Sequence, residues 1–235
     1  MGKSHISSEF DQDLTSLKNR ILLMGGLVEQ QVTDAVIALG AGNSELAEQV
    51  RSKDKEVDAL EKSIDEDCVR IIALRQPAAV DLRLVMSVTK IVMDLERIGD
   101  EAKKIAKLSL LMSEEGGAPR GSVEVRHIGQ HVGRMVHDTL DSFTRLDCSQ
   151  ALDIMKEDKI VDAEYKSAMR SLVTFMMEDP RSISLILNVM WALRALERIG
   201  DHARNVAEQV IYMVEGRDVR HTPLAEVQSL VQKDG

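Results

Sequence analysis

The chain has 235 residues, of which 44% are hydrophobic and 3% aromatic, and its formal net charge is −9. This apolar content can fill one large core or two small ones, which argues against a disordered chain. The acidic balance argues against a nucleic-acid-binding protein, because neutralising phosphates needs a basic face. A cationic partner or a protein partner fits better, and the aliphatic composition favours helices over sheets.

Prolines and cap-forming segments divide the chain into six predicted helices. Proline lacks an N–H and tends to start or end a helix, and segments 40–44 and 147–149 place N-cap residue types before periodic stretches. The predicted helices cover 7–40, 44–75, 78–114, 122–146, 150–178 and 181–215. Segment 114–121 is predicted to be a linker, and 217–235 is predicted to be a frayed tail.

The second half of the chain repeats the first. Leu95-Glu96-Arg97-Ile98-Gly99-Asp100 recurs as Leu196-Glu197-Arg198-Ile199-Gly200-Asp201, 101 residues later. Segment 54–58 recurs as 158–162, 104 residues later. Repeats at this spacing predict two similar structural units.

We therefore predict an all-α protein made of two tandem three-helix bundles with an internal pseudo-repeat. The first bundle is assigned to residues 1–116 and the second to 117–221, and 222–235 form a C-terminal tail.

Paired carboxylates mark the third helix of each half. Glu96 and Asp100 are spaced i, i+4 and share a helix face, about 6 Å apart at Cβ, and the same holds for Glu197 and Asp201. In both helices these acids interrupt an apolar stripe, so they point toward the core.

The second helix of each half carries another pair, Asp54 with Asp58 and Asp158 with Asp162. Like charges brought together on packed helices need a cation, a basic partner or raised pKa values. Oxygen ligands favour Mg²⁺, Ca²⁺, Mn²⁺ or iron over Zn²⁺.

The alternative is that basic side chains neutralise these acids. The candidates are Arg97, Arg198, Lys55, Lys103 and Lys104. Asn205 lies one turn beyond Asp201 and can add an oxygen ligand, whereas Lys104 takes that position in the first half. If the sites hold metal, the second is predicted to be the tighter one.

Other reactive side chains are predicted to be structural. Cys68 and Cys148 have no metal or redox spacing and are expected to be reduced and buried. His127, His131 and His137 are expected to be solvated or to line the helix. The sequence has no phosphate loop, nucleophile elbow, CxxC or HExxH motif, and its apolar runs are shorter than a membrane span.

Several segments resemble the PhoU family of phosphate-uptake regulators. They are 75–83, 95–100, 196–201 and 212–221. The resemblance implies a cytoplasmic, usually dimeric regulator that is not an enzyme. It also implies an association with the phosphate-specific ABC transporter and a membrane sensor histidine kinase, through which phosphate-starvation genes stay off when phosphate is plentiful.

The resemblance further implies a metal site, since some family members bind iron, zinc, manganese or magnesium through (E/D)xxxD carboxylates. The matching positions are Asp54, Asp58, Glu96, Asp100, Asp158, Asp162, Glu197 and Asp201. A metal store or carboxylate-bridged di-metal enzyme is an alternative, although no Glu-x-x-His pair accompanies these acids. A purely structural scaffold is another.

Overall fold

The fold is all-helical in a computed structural model that describes residues 8–115 and 121–232. The helices are α1 (Ser8–Ala41), α2 (Ser44–Arg75), α3 (Val80–Glu115), α4 (Ser122–Arg145), α5 (Cys148–Glu178), α6 (Ile183–Glu215) and α7 (Leu224–Val231). A 3-10 turn at Pro180–Ser182 precedes α6. The prediction of an all-α protein with six long helices is confirmed, and their ends agree to within two residues wherever the structure describes them.

Local signals in the sequence explain several helix ends. The Asn43 side chain accepts a hydrogen bond from the backbone N–H of Leu46 at 3.0 Å, which caps α2. Asp147 does the same for α5 by accepting from the N–H groups of Ser149 and Gln150. These side chains satisfy N–H groups that the first turn of a helix leaves without an intrahelical partner.

The helices pack as two triplets joined side by side. Helices α1, α2 and α3 contact one another, as do α4, α5 and α6, and the halves meet where α3 packs on α6 and α1 packs on α4. Aliphatic side chains from both triplets form one buried core. The α3–α6 contact is the most extensive helix pair, so the repeated motifs lie near the centre of the molecule.

Polar contacts cross the α3–α6 boundary within this packing. The His202 Nδ1 lies 2.8 Å from an Asp94 carboxylate oxygen, and the Arg198 Nε lies 2.9 Å from Glu101. Glu101 is almost fully buried and also pairs with Lys104 at 2.9 Å. Buried charges require such partners, so these contacts fix the alignment of α3 against α6.

Helix α1 is long and apolar enough over Glu9–Ala41 to cross a membrane, judged by length and composition. Its apolar side is used for internal packing, because Leu17, Ile21, Met24 and Val28 are buried and the helix contacts α2, α3 and α4. A helix in contact with several neighbours is apolar over more than one face.

The C-terminal region differs from the predicted frayed tail. Leu224–Val231 form α7, which packs against α5, and Val227 is fully buried. The prediction is wrong over these residues because Leu224, Val227 and Val231 are spaced i, i+3 and i+7 and form an apolar helix face. In the predicted linker, Glu114 and Glu115 belong to α3, and 116–120 lie outside the described residues.

A side chain from the first half closes the last long helix of the second half. Helix α6 ends at Gly216, which has a φ of 72°, and the Arg83 Nε donates to the Met213 carbonyl at 3.1 Å. A Cβ on Gly216 would lie 2.2 Å from the Arg83 guanidinium. Glycine is therefore needed both for the backbone conformation and for the close approach of Arg83.

Candidate metal centre and its counterpart in the first half

Three carboxylates converge in the second half. Asp162 on α5 and Glu197 and Asp201 on α6 each bring a carboxylate oxygen within 4.8 Å of the other two. Within residues 8–115 and 121–232, no other group of three acidic, histidine or cysteine side chains meets this distance. The i, i+4 spacing of Glu197 and Asp201 explains why both face α5.

Glu197 is the most buried member of this group, with 9% of its surface exposed. Its Oε1 pairs with the Arg194 guanidinium, but its Oε2 is buried and has no hydrogen-bond partner. A buried carboxylate oxygen without a partner costs free energy of folding, typically about 1–3 kcal/mol. A bound cation would remove this cost.

The pKa values of the group show the same electrostatic conflict. Burial, followed by repulsion from Asp201, raises the pKa of Glu197. Shielding by the packed helices, followed by repulsion from Asp162, raises the pKa of Asp201, although Asp201 keeps contact with solvent. Asp201 also lines a surface cavity of about 440 Å³, so this carboxylate is reached from solvent.

Asp158, the fourth predicted carboxylate ligand of this half, is neutralised by an arginine of the protein. It is buried on α5 and accepts a hydrogen bond from the Arg204 Nη1 at 3.2 Å. Arg204 also binds Glu208 through its Nε at 3.2 Å. Asp162, Glu197 and Asp201 therefore remain as the residues able to hold a hard cation such as Mg²⁺, Mn²⁺ or an iron ion.

The equivalent acids of the first half contain an ammonium group. Asp54 is buried on α2 and pairs with Lys103, whose Nζ also lies 3.8 Å from an Asp100 carboxylate oxygen. Burial, followed by the charge of Asp100, raises the pKa of Glu96, and the Asp58 charge adds to this. Neutralisation by a basic side chain, the predicted alternative to metal, applies to Asp54.

The two residues used to predict the asymmetry of the halves have other contacts. Lys104 was expected to bring an ammonium to the first site, but this is wrong, because its Nζ binds Glu101 at 2.9 Å. Asn205 lines the same cavity as Asp201, and its amide donates to Asp94 of α3 at 3.0 Å. The basic group that distinguishes the first site is Lys103.

For three residues important to the site, the sequence did not lead us to predict the contacts that they make. Lys103 and Arg204 are 101 residues apart, the same offset as the repeated motifs, so the repeat itself marks them as equivalent. Glu208 lies one turn after Arg204, and its equivalent is Lys107. The signal was available in the aligned halves, because one turn of helix brings side chains four residues apart into contact.

The remaining candidate side chains are structural. Both ring nitrogens of His131 contact carboxylates, those of Glu157 and Glu164, and His127 contacts Glu164 as well. Cys68 is fully buried and Cys148 half-buried, both as free thiols. Burial of Cys68 agrees with the predicted role.

The comparisons with known proteins agree with the duplicated architecture. A family model described as the PhoU domain matches residues 21–109 and again residues 125–210. This chain belongs to the PhoU family. The two matches fall in the two helical triplets, so each triplet is one copy of the PhoU domain.

Relatives and solved structures of the PhoU family resemble the chain over nearly its full length. A phosphate-specific transport system accessory protein PhoU homolog from Pseudomonas putida is 58% identical over 228 residues, which cover 97% of this chain and 89% of the relative. The crystal structure of PhoU from Pseudomonas aeruginosa has 58% sequence identity and a TM-score of 0.87, and the match covers 88% of this chain and 100% of that one.

A more distant solved structure shares the fold. The phosphate transport system regulatory protein PhoU from Streptococcus pneumoniae is 30% identical with a TM-score of 0.82, and the match covers 89% of this chain and 99% of that one. These relatives are named accessory and regulatory proteins, which confirms the prediction that the chain is not an enzyme. A di-metal enzyme is thereby set aside.

Proposed function

We propose that this chain is a negative regulator of phosphate-starvation signalling and phosphate uptake. It acts in the cytoplasm as a homodimeric adaptor between components of the phosphate-specific ABC transporter and a membrane sensor histidine kinase. The observation that carries this proposal is the 58% identity, over 97% of the chain, with a protein named as an accessory of the phosphate-specific transport system. The adaptor role and the kinase are inferred from the family resemblance.

Exposed apolar side chains support a role in protein binding. Leu74 and Val80 flank the α2–α3 turn, and Met177 and Ile183 occupy the matching positions 103 residues later at the α5–α6 turn. Trp191, on α6, is 64% exposed. Exposed apolar groups favour contact with a partner protein, and tryptophan is frequent among the residues that dominate binding energy.

A gene deletion tests the regulatory role. In phosphate-rich medium, the deletion strain should express a phosphate-starvation reporter that the wild-type strain keeps silent, and a plasmid copy of the gene should restore silence. Unchanged reporter output in the deletion strain would contradict the proposal.

A matched pair of variants tests the adaptor role by affinity capture from membranes at high and low phosphate. Trp191→Asp should lose captured transporter components and kinase, whereas Leu23→Asp, at a 58% exposed position on α1, should retain them. Circular dichroism would verify that both variants are folded. Equal capture by both variants would remove Trp191 from the contact, and no capture by the wild type would contradict an adaptor. Light scattering would measure the dimer.

We also propose that the regulator holds a carboxylate-bound metal ion in its second half. The observation that supports this is the buried Glu197 Oε2 without a partner, next to Asp162 and Asp201. Elemental analysis after gentle purification should find a hard divalent or trivalent ion, with Mg, Mn and Fe favoured over Zn. Protein that neither retains metal nor binds added Mn²⁺ would refute this part and leave the regulatory role standing.

A further inference from the structure

In each half of the molecule, a basic side chain of the third long helix pairs with the buried aspartate of the preceding helix. Lys103 on α3 pairs with Asp54 on α2, and Arg204 on α6 pairs with Asp158 on α5. The two basic residues are 101 residues apart and therefore equivalent in the repeat. The halves consequently start from the same arrangement, in which a cationic side chain neutralises the buried aspartate of the preceding helix.

The second contact of each basic side chain differs between the halves. The Lys103 Nζ lies 3.8 Å from an Asp100 carboxylate oxygen, so the ammonium lies between α2 and the predicted metal ligands of α3. Arg204 instead extends along α6 to Glu208, at 3.2 Å. Asp201 is the equivalent of Asp100, and its carboxylate lies beside that of Asp162.

The residue one turn further along the helix explains this difference. In the second half it is Glu208, which is 5% exposed and attracts the Arg204 guanidinium by charge and by a hydrogen bond. In the first half it is Lys107, which is exposed and carries the same charge as Lys103. Like charges at i, i+4 repel, so Lys107 favours the position of Lys103 beside Asp100.

The geometry points to Glu208 as a positioning residue for a cation site. By holding Arg204 away from Asp201, it leaves Asp162, Asp201 and the unpartnered Oε2 of Glu197 open to one hard divalent cation, while Lys103 fills the equivalent place in the first half. The other oxygen of Glu197 stays paired with Arg194. The chain then binds one cation rather than two. This inference rests on the proposed metal site. It adds the number of ions bound per chain and the residues that set this number.

Binding of Mn²⁺ to the full chain, stripped with a chelator, tests the inference. Electron paramagnetic resonance of free Mn²⁺ should give one site per wild-type chain. Glu208→Gln removes the charge that holds Arg204 and should weaken Mn²⁺ binding about tenfold, because a guanidinium then approaches the site. A conservative change of the same shape keeps folding intact, and circular dichroism would verify this.

The reciprocal variant tests the same idea by gain of a site. Lys107→Glu, at an exposed position, should draw Lys103 away from Asp100 and raise the stoichiometry from one Mn²⁺ to two. Arg70→Glu, also exposed and on α2, makes the same charge change and should leave one site of unchanged affinity. A merely structural role of position 107 or 208 would not add a binding site.

The outcomes separate this inference from the metal proposal itself. A wild-type chain that binds one Mn²⁺, with unchanged affinity in Glu208→Gln and unchanged stoichiometry in Lys107→Glu, overturns the positioning role alone. Two equivalent sites in the wild-type chain also overturn it. A wild-type chain that binds no Mn²⁺ overturns both proposals.

Discussion

Cys68 illustrates how burial sets the chemistry of a single residue. It lies on α2 with no exposed surface, and burial, assisted by the charges of Asp65 and Asp67, raises the pKa of its thiol to about 12. Because the thiolate is the nucleophilic form, such a thiol is inert while the fold is intact. Cys148 is less buried, and burial raises its pKa to about 11.

Alkylation by iodoacetamide at pH 8 should therefore be slow for both cysteines in the native protein. Cys68 should react only when the protein unfolds, so its rate should rise steeply through the urea transition, and mass spectrometry of tryptic peptides would resolve the two sites. Free thiol in urea is the positive control. Rapid native labelling of Cys68 would mean that α2 opens locally.

For single residues, the sequence predicted which side chains face a neighbouring helix better than it predicted their hydrogen-bond partners. The i, i+4 spacing of Glu197 and Asp201 was sufficient to predict that both face a neighbouring helix. The unpartnered Oε2 of Glu197 could not be predicted, because it depends on which rotamer Arg194 and Arg204 adopt among several acidic neighbours. Long basic side chains reach several partners, and only the packed structure selects one.

Two glycines on α4, one turn apart, differ in the space available for a side chain. A Cβ on Gly129 would lie 2.7 Å from both γ-carbons of Val36 on α1, and 3.3 Å from its Cβ. A Cβ on Gly133 would meet no atom within 4 Å. Gly129 thus permits the close approach of α1 and α4, which helps to join the two halves, and Gly133 has no such role.

Alanine at these two positions should change stability in opposite directions. Gly129→Ala should destabilise the protein by about 1–3 kcal/mol, because β-branched Val36 has little freedom to move away. Gly133→Ala should stabilise it by about 0.5–1 kcal/mol through the helix propensity of alanine. Urea unfolding measures both. A destabilised Gly133→Ala variant would mean that the α1–α4 groove is tighter than it is in this structure.

Helix boundaries were predictable wherever the sequence carries caps or proline. Asn43 and Asp147 set the starts of α2 and α5 through their own side chains, a local effect that needs no tertiary structure. Helix α7 was missed because it has eight residues and no side-chain cap. A helix that short is stable only through packing, so its apolar face predicts a helix only together with the surface of α5 that covers it.

For the molecule as a whole, removal of a bound cation should lower the melting temperature. The three carboxylates of the second half repel one another, and a ligand at about 100 times its Kd stabilises the native state by about 2.7 kcal/mol. For a chain of this size that corresponds to about 5 °C or more between Mn²⁺ and chelator. Melting curves that coincide in Mn²⁺ and in chelator would show that Arg194 and Arg204 already neutralise the acids.

The pH dependence of the melting temperature in chelator should also arise from the crowded carboxylates of the second half. Because the folded state raises the pKa values of Glu197 and Asp201, it binds more protons than the unfolded chain as pH falls toward their ordinary values of 4.5 and 3.8. The melting temperature should therefore rise from pH 7 to pH 5 in chelator. Excess Mn²⁺ should reduce this rise, since protons then displace the ion, while the raised pKa values of Glu61 and Glu96 in the first half keep their contribution.

The pKa of Asp218 is shifted in the opposite direction from those of Glu197 and Asp201. The Arg220 guanidinium holds its pKa at about 2, so its stabilising contribution is lost only as pH falls below its ordinary 3.8. The window from pH 7 to pH 5 thus excludes the contribution of Asp218. A melting temperature that falls over this window in chelator would contradict the assignment.

The association of the two halves was the least predictable feature of the molecule. The repeat predicted two bundles, and apolar stripes predicted which faces are buried, but nothing local specifies that α3 packs on α6. That choice depends on contacts between residues about a hundred positions apart, such as Glu101 with Arg198. Complementary charges so far apart in the sequence can pair only after both bundles have formed.

The contact of Arg83 with the end of α6 also orders events during synthesis. Arg83 leaves the ribosome 130 residues before Met213, whose carbonyl it binds. Synthesis runs from the N-terminus, so Arg83 and the rest of α3 are complete before the last turn of α6 appears. The carbonyl of Met213 thus gains its side-chain donor only when α6 packs beside α3, and the last turn of α6 should stay frayed in any nascent chain whose two halves have not yet joined.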